Sequence, residues 1–100
     1  MRRIDLTHVD LRSADLTGAD LTEANLSYSD LRGADFSFTL LLSALFNGAD
    51  LRDVVLRKAD LTYATCNSAT LAGADLTGAL LSRTVFAEIP DLELALGLDR

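Results

Sequence analysis

Aspartate recurs at a fixed spacing: Asp5, Asp10, Asp15, Asp20, Asp30, Asp35, Asp50, Asp60 and Asp75 each stand one place before a large residue, Leu or Phe. Carboxylates that meet in pairs can do general acid and base work, and clustered ones can hold calcium. Here the spacing is that of the backbone itself, so the aspartates face outward in regular columns and read as a solvated face. Three of them open the triplets Asp10-Leu11-Arg12, Asp30-Leu31-Arg32 and Asp50-Leu51-Arg52. Such a charged ladder either neutralises itself or grips phosphates or a partner's carboxylates through guanidinium forks. The lone His8 has no nucleophile or orienting group at a recognisable spacing, and reads as an exposed surface residue rather than a general base. Cys66 is the single cysteine, which excludes an intramolecular disulfide and a multi-cysteine metal cluster. No catalytic set, metal site or cofactor motif emerges, and the expectation is a protein that is not an enzyme.

The element that positions these residues is a five-residue frame running from Ile4 to Glu88. Its centres are Leu6, Leu11, Leu16, Leu21, Leu26, Leu31, Phe36, Leu41, Phe46, Leu51, Leu56, Leu61, Cys66, Leu71, Leu76, Leu81 and Phe86. Two places before each centre stands a small or β-branched residue, most often alanine. Two places after it fall five of the six glycines, where a turning chain gains from a residue tolerant of positive φ. A period of five suits neither a helix at 3.6 nor a plain strand at 2, so it marks a solenoid. If the centre and the residue two before it point inward and each unit ends in a corner, the chain winds into a prism. Small alanines then pack beside large leucines without collision.

This frame of Ala-Asp-Leu followed by two mostly polar or small residues resembles the pentapeptide-repeat family, over about 85 residues without a break in register. The resemblance implies an all-β fold: a right-handed quadrilateral β-helix with four pentapeptides per coil, hence about four coils. The recurrence of Asp-Leu-Arg at a spacing of twenty residues supports that coil length from the sequence itself. At twenty-residue spacing Leu6, Leu26, Phe46, Cys66 and Phe86 stack, which places Cys66 between two phenylalanines as a buried core residue. The frame defines a repeat unit over residues 1–88. Residues 89–100 break it and read as a C-terminal cap: Pro90 in the first turn of a short helix and Gly97 as its stop, although Leu92, Leu94, Leu96 and Leu98 equally suit a strand.

Fifteen acidic against nine basic residues give a net charge of −6, which argues against direct nucleic-acid binding. The chain opens on the repeat with no signal-like apolar run, and no segment approaches a membrane span, so a cytoplasmic location is expected. The informative departures from the frame are apolar residues at outward positions: Leu40, Leu42, Leu45 and Leu80, with Phe38 and Tyr63 at neighbouring corners. Outward apolar surface marks contact, either with the C-terminal leucines folding back or with a partner or second copy in a homodimer. The function expected is a protein–protein interaction or scaffold module. The alternative comes from the resemblance: some family members bind DNA gyrase as acidic mimics of duplex DNA. Arg12, Arg32, Arg52 and Arg57 interrupt the negative field that this would need.

Overall fold

The structure, a computed structural model, describes residues 3–89. Over this span the chain winds into a four-sided β-helix. Each residue before a centre forms a parallel bridge with its equivalent twenty residues on, from Asp5 with Asn25 to Thr65 with Val85. The pairing is carried by three backbone bonds per pentapeptide: Leu6 N–H donates to Asn25 O (2.7 Å), His8 N–H to Ser27 O (3.2 Å), and Asn25 N–H to Ile4 O (2.9 Å). The same trio repeats with each step of five.

The sides are bridged one residue at a time. Among the described residues there is no run of paired residues long enough to make a strand or a continuous sheet, which corrects the simple all-β expectation. The physical reason is the corner. After each centre the chain turns, and the turn closes in most units by a bond such as Ala14 N–H to Leu11 O (3.0 Å). All seventeen residues two places after a centre have positive φ, between 57° and 75°. Glycine fills five of these places and side-chain-bearing residues fill twelve, from His8 to Glu88. A left-handed residue other than glycine costs roughly 1 kcal/mol, so the coil-to-coil bonds and the packed interior must offset that cost at the twelve corners that carry a side chain. The frame persists to Glu88, and the expected capping helix lies outside the described residues.

We number the sides by their centres: side 1 carries Leu6, Leu26, Phe46, Cys66 and Phe86; side 2, Leu11 to Leu71; side 3, Leu16, Phe36, Leu56 and Leu76; side 4, Leu21 to Leu81. Central coils are sealed, with Leu26, Leu31, Phe36 and Leu41 at 0% exposure, while Leu6, Leu11, Leu16, Leu76, Leu81 and Phe86 at the two ends are half-buried. Cys66 is buried in its column, and burial pushes its thiol up to about 12, so it stays protonated and unreactive. Inward hydroxyls are satisfied by backbone partners, as at Ser29 and Thr39. Ser29 donates to Leu6 O (2.5 Å) and accepts from Val9 N–H (3.0 Å), and Thr39 donates to Phe36 O (2.6 Å). Buried polar groups that are bonded in this way carry no desolvation penalty of their own.

Candidate functional site

The outward columns divide by what they do for the backbone. Nearly every outward aspartate bonds its own turn: Oδ1 accepts the amide hydrogen two residues on, as in Asp5–Thr7 (3.0 Å), Asp15–Thr17 (3.1 Å), Asp35–Ser37 (3.0 Å) and Asp60–Thr62 (3.1 Å). Where threonine follows, its hydroxyl donates to the same oxygen, at 2.7 Å for Asp15 and 2.6 Å for Asp60. Asn25 does the same without charge, accepting Ser27 N–H at 3.1 Å. These are Asx turns, which orient the chain at each corner. The regular spacing of the aspartates did not by itself point to this task. Bonds to Thr7 and Thr17 hold the Asp5 and Asp15 carboxyls below the usual carboxylate range.

On side 2 the aspartates and arginines form a closed ladder. Arg12 grips Asp10 with Nε and Nη2 at 2.9 and 2.7 Å, Arg32 grips Asp30 at 2.8 and 2.5 Å, and Arg52 grips Asp50 at 2.8 and 2.5 Å. Two of the three also approach the carboxylate of the following coil: Arg12 to Asp30 at 3.8 Å and Arg32 to Asp50 at 3.7 Å. The Arg12 side chain holds the Asp10 carboxyl down at about 2, and its carboxylate in turn raises Arg12. The ladder stops at Arg52, because Thr70 and Ala72 follow in the column. Forks already filled by carboxylates on their own rung are poorly placed to take a phosphate. Arg57, on side 3, is paired separately with Asp75 at 3.1 Å.

The apolar departures separate onto two sides. Phe38, Leu40 and Tyr63, together with Leu80, are exposed at 58%, 43%, 56% and 57%, and all border or lie on side 4. Leu42 lies beside Leu40 on that side and is half-buried. Leu45 lies on side 1, half-buried, in a column with Thr65 and the exposed Val85, and so does not join the others. An open hollow of about 380 Å³ beside Leu45 is lined by Arg3, Asp5, Glu23, Asn25 and Ser43. Its charged groups engage neighbours, Arg3 with Glu23 (3.4 Å) and Asp5 with Thr7.

The two sides also differ in how they treat the amide that an aspartate would have capped. On side 1 the loss after Leu45 and Thr65 is made good from the preceding coil, where Asn47 N–H donates to Ser27 Oγ (3.2 Å) and Asn67 N–H to Asn47 Oδ1 (3.1 Å), whereas the Ala87 amide after Val85 has no acceptor among the described residues. On side 4, with Leu40 in the aspartate place, the amide of Leu42 has no protein acceptor among the described residues. Val55 on side 3 leaves the Arg57 amide in the same condition, but Val55 is itself half-buried and Arg57 is anchored on Asp75. Leu40 thus combines a surrendered turn bond with an exposed apolar side chain.

Corner residues that are distant in sequence meet along the axis. His8 stacks on Tyr28, centroids 5.3 Å apart at 14°, and the Tyr28 ring in turn lies over Gly48, where a Cβ would stand 2.7 Å from it. Lys58 sits over the Phe38 ring and Arg83 over the Tyr63 ring, each at 5.9 Å. Sequence reasoning missed these contacts, although the twenty-residue spacing that pairs 8 with 28 and 38 with 58 was in hand.

A backbone wound in four-sided coils, bonded at a twenty-residue step and turned by Asx-capped corners, defines a β-helical solenoid of pentapeptide units. The chain belongs to the pentapeptide repeat family, whose model of eight repeat copies matches residues 1–37 and again residues 41–78. Solved structures agree. A pentapeptide repeat protein from the thylakoid lumen of Arabidopsis thaliana is similar at 29% identity and a TM-score of 0.83, over 88% of this chain and 61% of its own. A pentapeptide repeat protein from Nostoc PCC 7120 is similar at 36% identity and a TM-score of 0.76, over 94% of this chain and 82% of its own. HetL from Nostoc sp. strain PCC 7120, a pentapeptide repeat protein involved in heterocyst differentiation regulation, is 35% identical with a TM-score of 0.50, over 91% and 49%. The chain therefore spans about three-fifths of the Arabidopsis protein and half of HetL. No curated protein matches the sequence. The family makes the solenoid a right-handed β-helix.

Proposed function

We propose that the protein is a non-enzymatic interaction module that docks a protein partner on side 4, through Leu40, Leu42 and Leu80 with Phe38 and Tyr63 at the rims. The observation that carries this reading is Leu40. It takes the place of a turn-capping aspartate, leaves the Leu42 amide without an acceptor among the described residues and holds an apolar side chain 43% exposed to water. A residue that serves the fold less well than the one it replaces is explained by contact with another molecule. The charged outward columns serve the fold: aspartates cap turns, and the side 2 ladder is filled by its own carboxylates. That arrangement also disfavours mimicry of duplex DNA toward gyrase, since the side 2 carboxylates are matched by guanidinium groups rather than left as a negative column.

The test is solution mass by light scattering alongside partner binding, on the native protein and a Leu40→Asp/Leu42→Asp variant. A folded variant that loses association supports the reading. Association that survives unchanged removes side 4 as the interface.

A further inference from the structure

Resting on that reading, we infer that the occupant of side 4 is an amphipathic helix that lies along the prism axis and alternates apolar and basic residues on its buried face. The outward column of side 4 reads Asp20, Leu40, Asp60, Leu80, one residue per coil. Coils rise by about 4.8 Å, so Leu40 and Leu80 stand roughly 9.6 Å apart with Asp60 midway. On a helix rising 1.5 Å per residue, positions i and i+7 are about 10.5 Å apart and i+3 or i+4 lies between them. An apolar residue at i, Lys or Arg at i+3 or i+4 and an apolar residue at i+7 meet the three rows in turn. An extended segment steps about 6.8 Å between residues on one face and falls out of phase.

The charges point to a basic partner. Asp60 uses Oδ1 for both bonds to Thr62, and its other oxygen takes no bond among the described residues. The cations that border the side are held at its rims: Lys58 over Phe38, Arg83 over Tyr63. A second copy of this chain fits poorly. In antiparallel copies either leucine faces aspartate in every row, or leucine rows alternate with rows in which aspartate faces aspartate. Parallel copies in register give the second result. Each arrangement places carboxylates at the contact with no cation in the facing column, which is costly once water is excluded.

The probe is an eighteen-residue helical peptide with Leu at i, Lys at i+4 and Leu at i+7 on one face, labelled for fluorescence anisotropy, with Glu in place of Lys as its control. The full chain is titrated at low and physiological salt. The expected result is saturable binding of the Lys peptide, roughly tenfold weaker binding of the Glu peptide, and about threefold weakening by Asp60→Asn, whose side chain keeps the turn bond as Asn25 does. Leu40→Asn should remove binding of both peptides. Equal binding of the Lys and Glu peptides, both lost in Leu40→Asn, overturns the basic helix and leaves the docking side standing. Binding indifferent to Leu40→Asn overturns both. Absence of saturable binding of the Lys peptide, or a dimer by light scattering that Leu40→Asn breaks, overturns the helix.

Discussion

Leu40 and Leu41 are adjacent leucines with opposite assignments, and replacing each by asparagine tests them. Leu41 points inward at 0% exposure, whereas Leu40 is 43% exposed in the place where Asn25 caps its own turn. In Leu40→Asn the new Oδ1 reaches the amide of residue 42, a bond of the capping kind worth about 0.5 to 2 kcal/mol. Against this stands the buried part of the leucine. Somewhat over half of a full burial of roughly 1.5 to 3 kcal/mol is lost, which is about 1 kcal/mol. The two effects nearly cancel, so the variant should stay within about 1 kcal/mol of the native protein. Leu41→Asn loses a core side chain, roughly 2 to 5 kcal/mol, and buries an amide without partners, about 1 to 3 more. Urea and thermal unfolding followed by circular dichroism distinguish these outcomes. In a domain this size about 1 kcal/mol moves the midpoint by roughly 4 to 8 °C. Leu40→Asn should shift it no further than that, and Leu41→Asn should lower it far more or prevent folding. A loss of about 3 kcal/mol or more in Leu40→Asn would make Leu40 a structural residue and refute the argument for docking.

Three further outcomes follow from the geometry. The Asp10 carboxyl lies at about 2 against an ordinary 3.8, a depressed group. Its stabilising contribution is complete above pH 3.8 and is lost as pH falls toward 2. Acid unfolding of Asp10→Asn should accordingly be less steep between pH 4 and 2 than that of the native protein. Cys66, with its thiol raised to about 12, should resist a thiol-specific reagent at pH 8 in the folded chain and react fully in denaturant. Gly48→Ala and Gly18→Ala share the cost of a left-handed alanine, at φ of 67° and 75°. Only at Gly48 does the new Cβ meet Tyr28, so Gly48→Ala should unfold at the lower temperature, and Tyr28→Ser should erase the difference.

The winding of this chain was legible because one arrangement repeats. A leucine every five residues has no place on a helix face or a plain strand, and three Asp-Leu-Arg triplets at twenty-residue steps supported the coil length that the family resemblance implied and the bridges reproduce. Cys66 could be assigned to the core from its column alone. Side-chain conformation was not legible. Outward direction at Asp15 or Asp60 follows from the frame, but the fold of the carboxylate back onto Thr17 or Thr62 depends on turn geometry that a pattern of residue types does not specify. Leu45 shows the same limit: it departs from the frame as Leu40 does, yet it lies on another side, half-buried, where Ser27 and Asn47 replace the missing caps. Exposure at an outward position depends on the neighbours in the coils before and after, so how far Leu40 and Leu45 meet water could be told only in three dimensions.

The docking claim is tested most directly by titrating the Lys peptide into isotopically labelled protein and following the amide resonances. Shifts confined to side 4 and its rims, around residues 38–42, 60–63 and 80–83, are expected. Shifts centred instead on the ladder of Asp10, Arg12, Asp30, Arg32, Asp50 and Arg52 would place the contact on side 2 and contradict it.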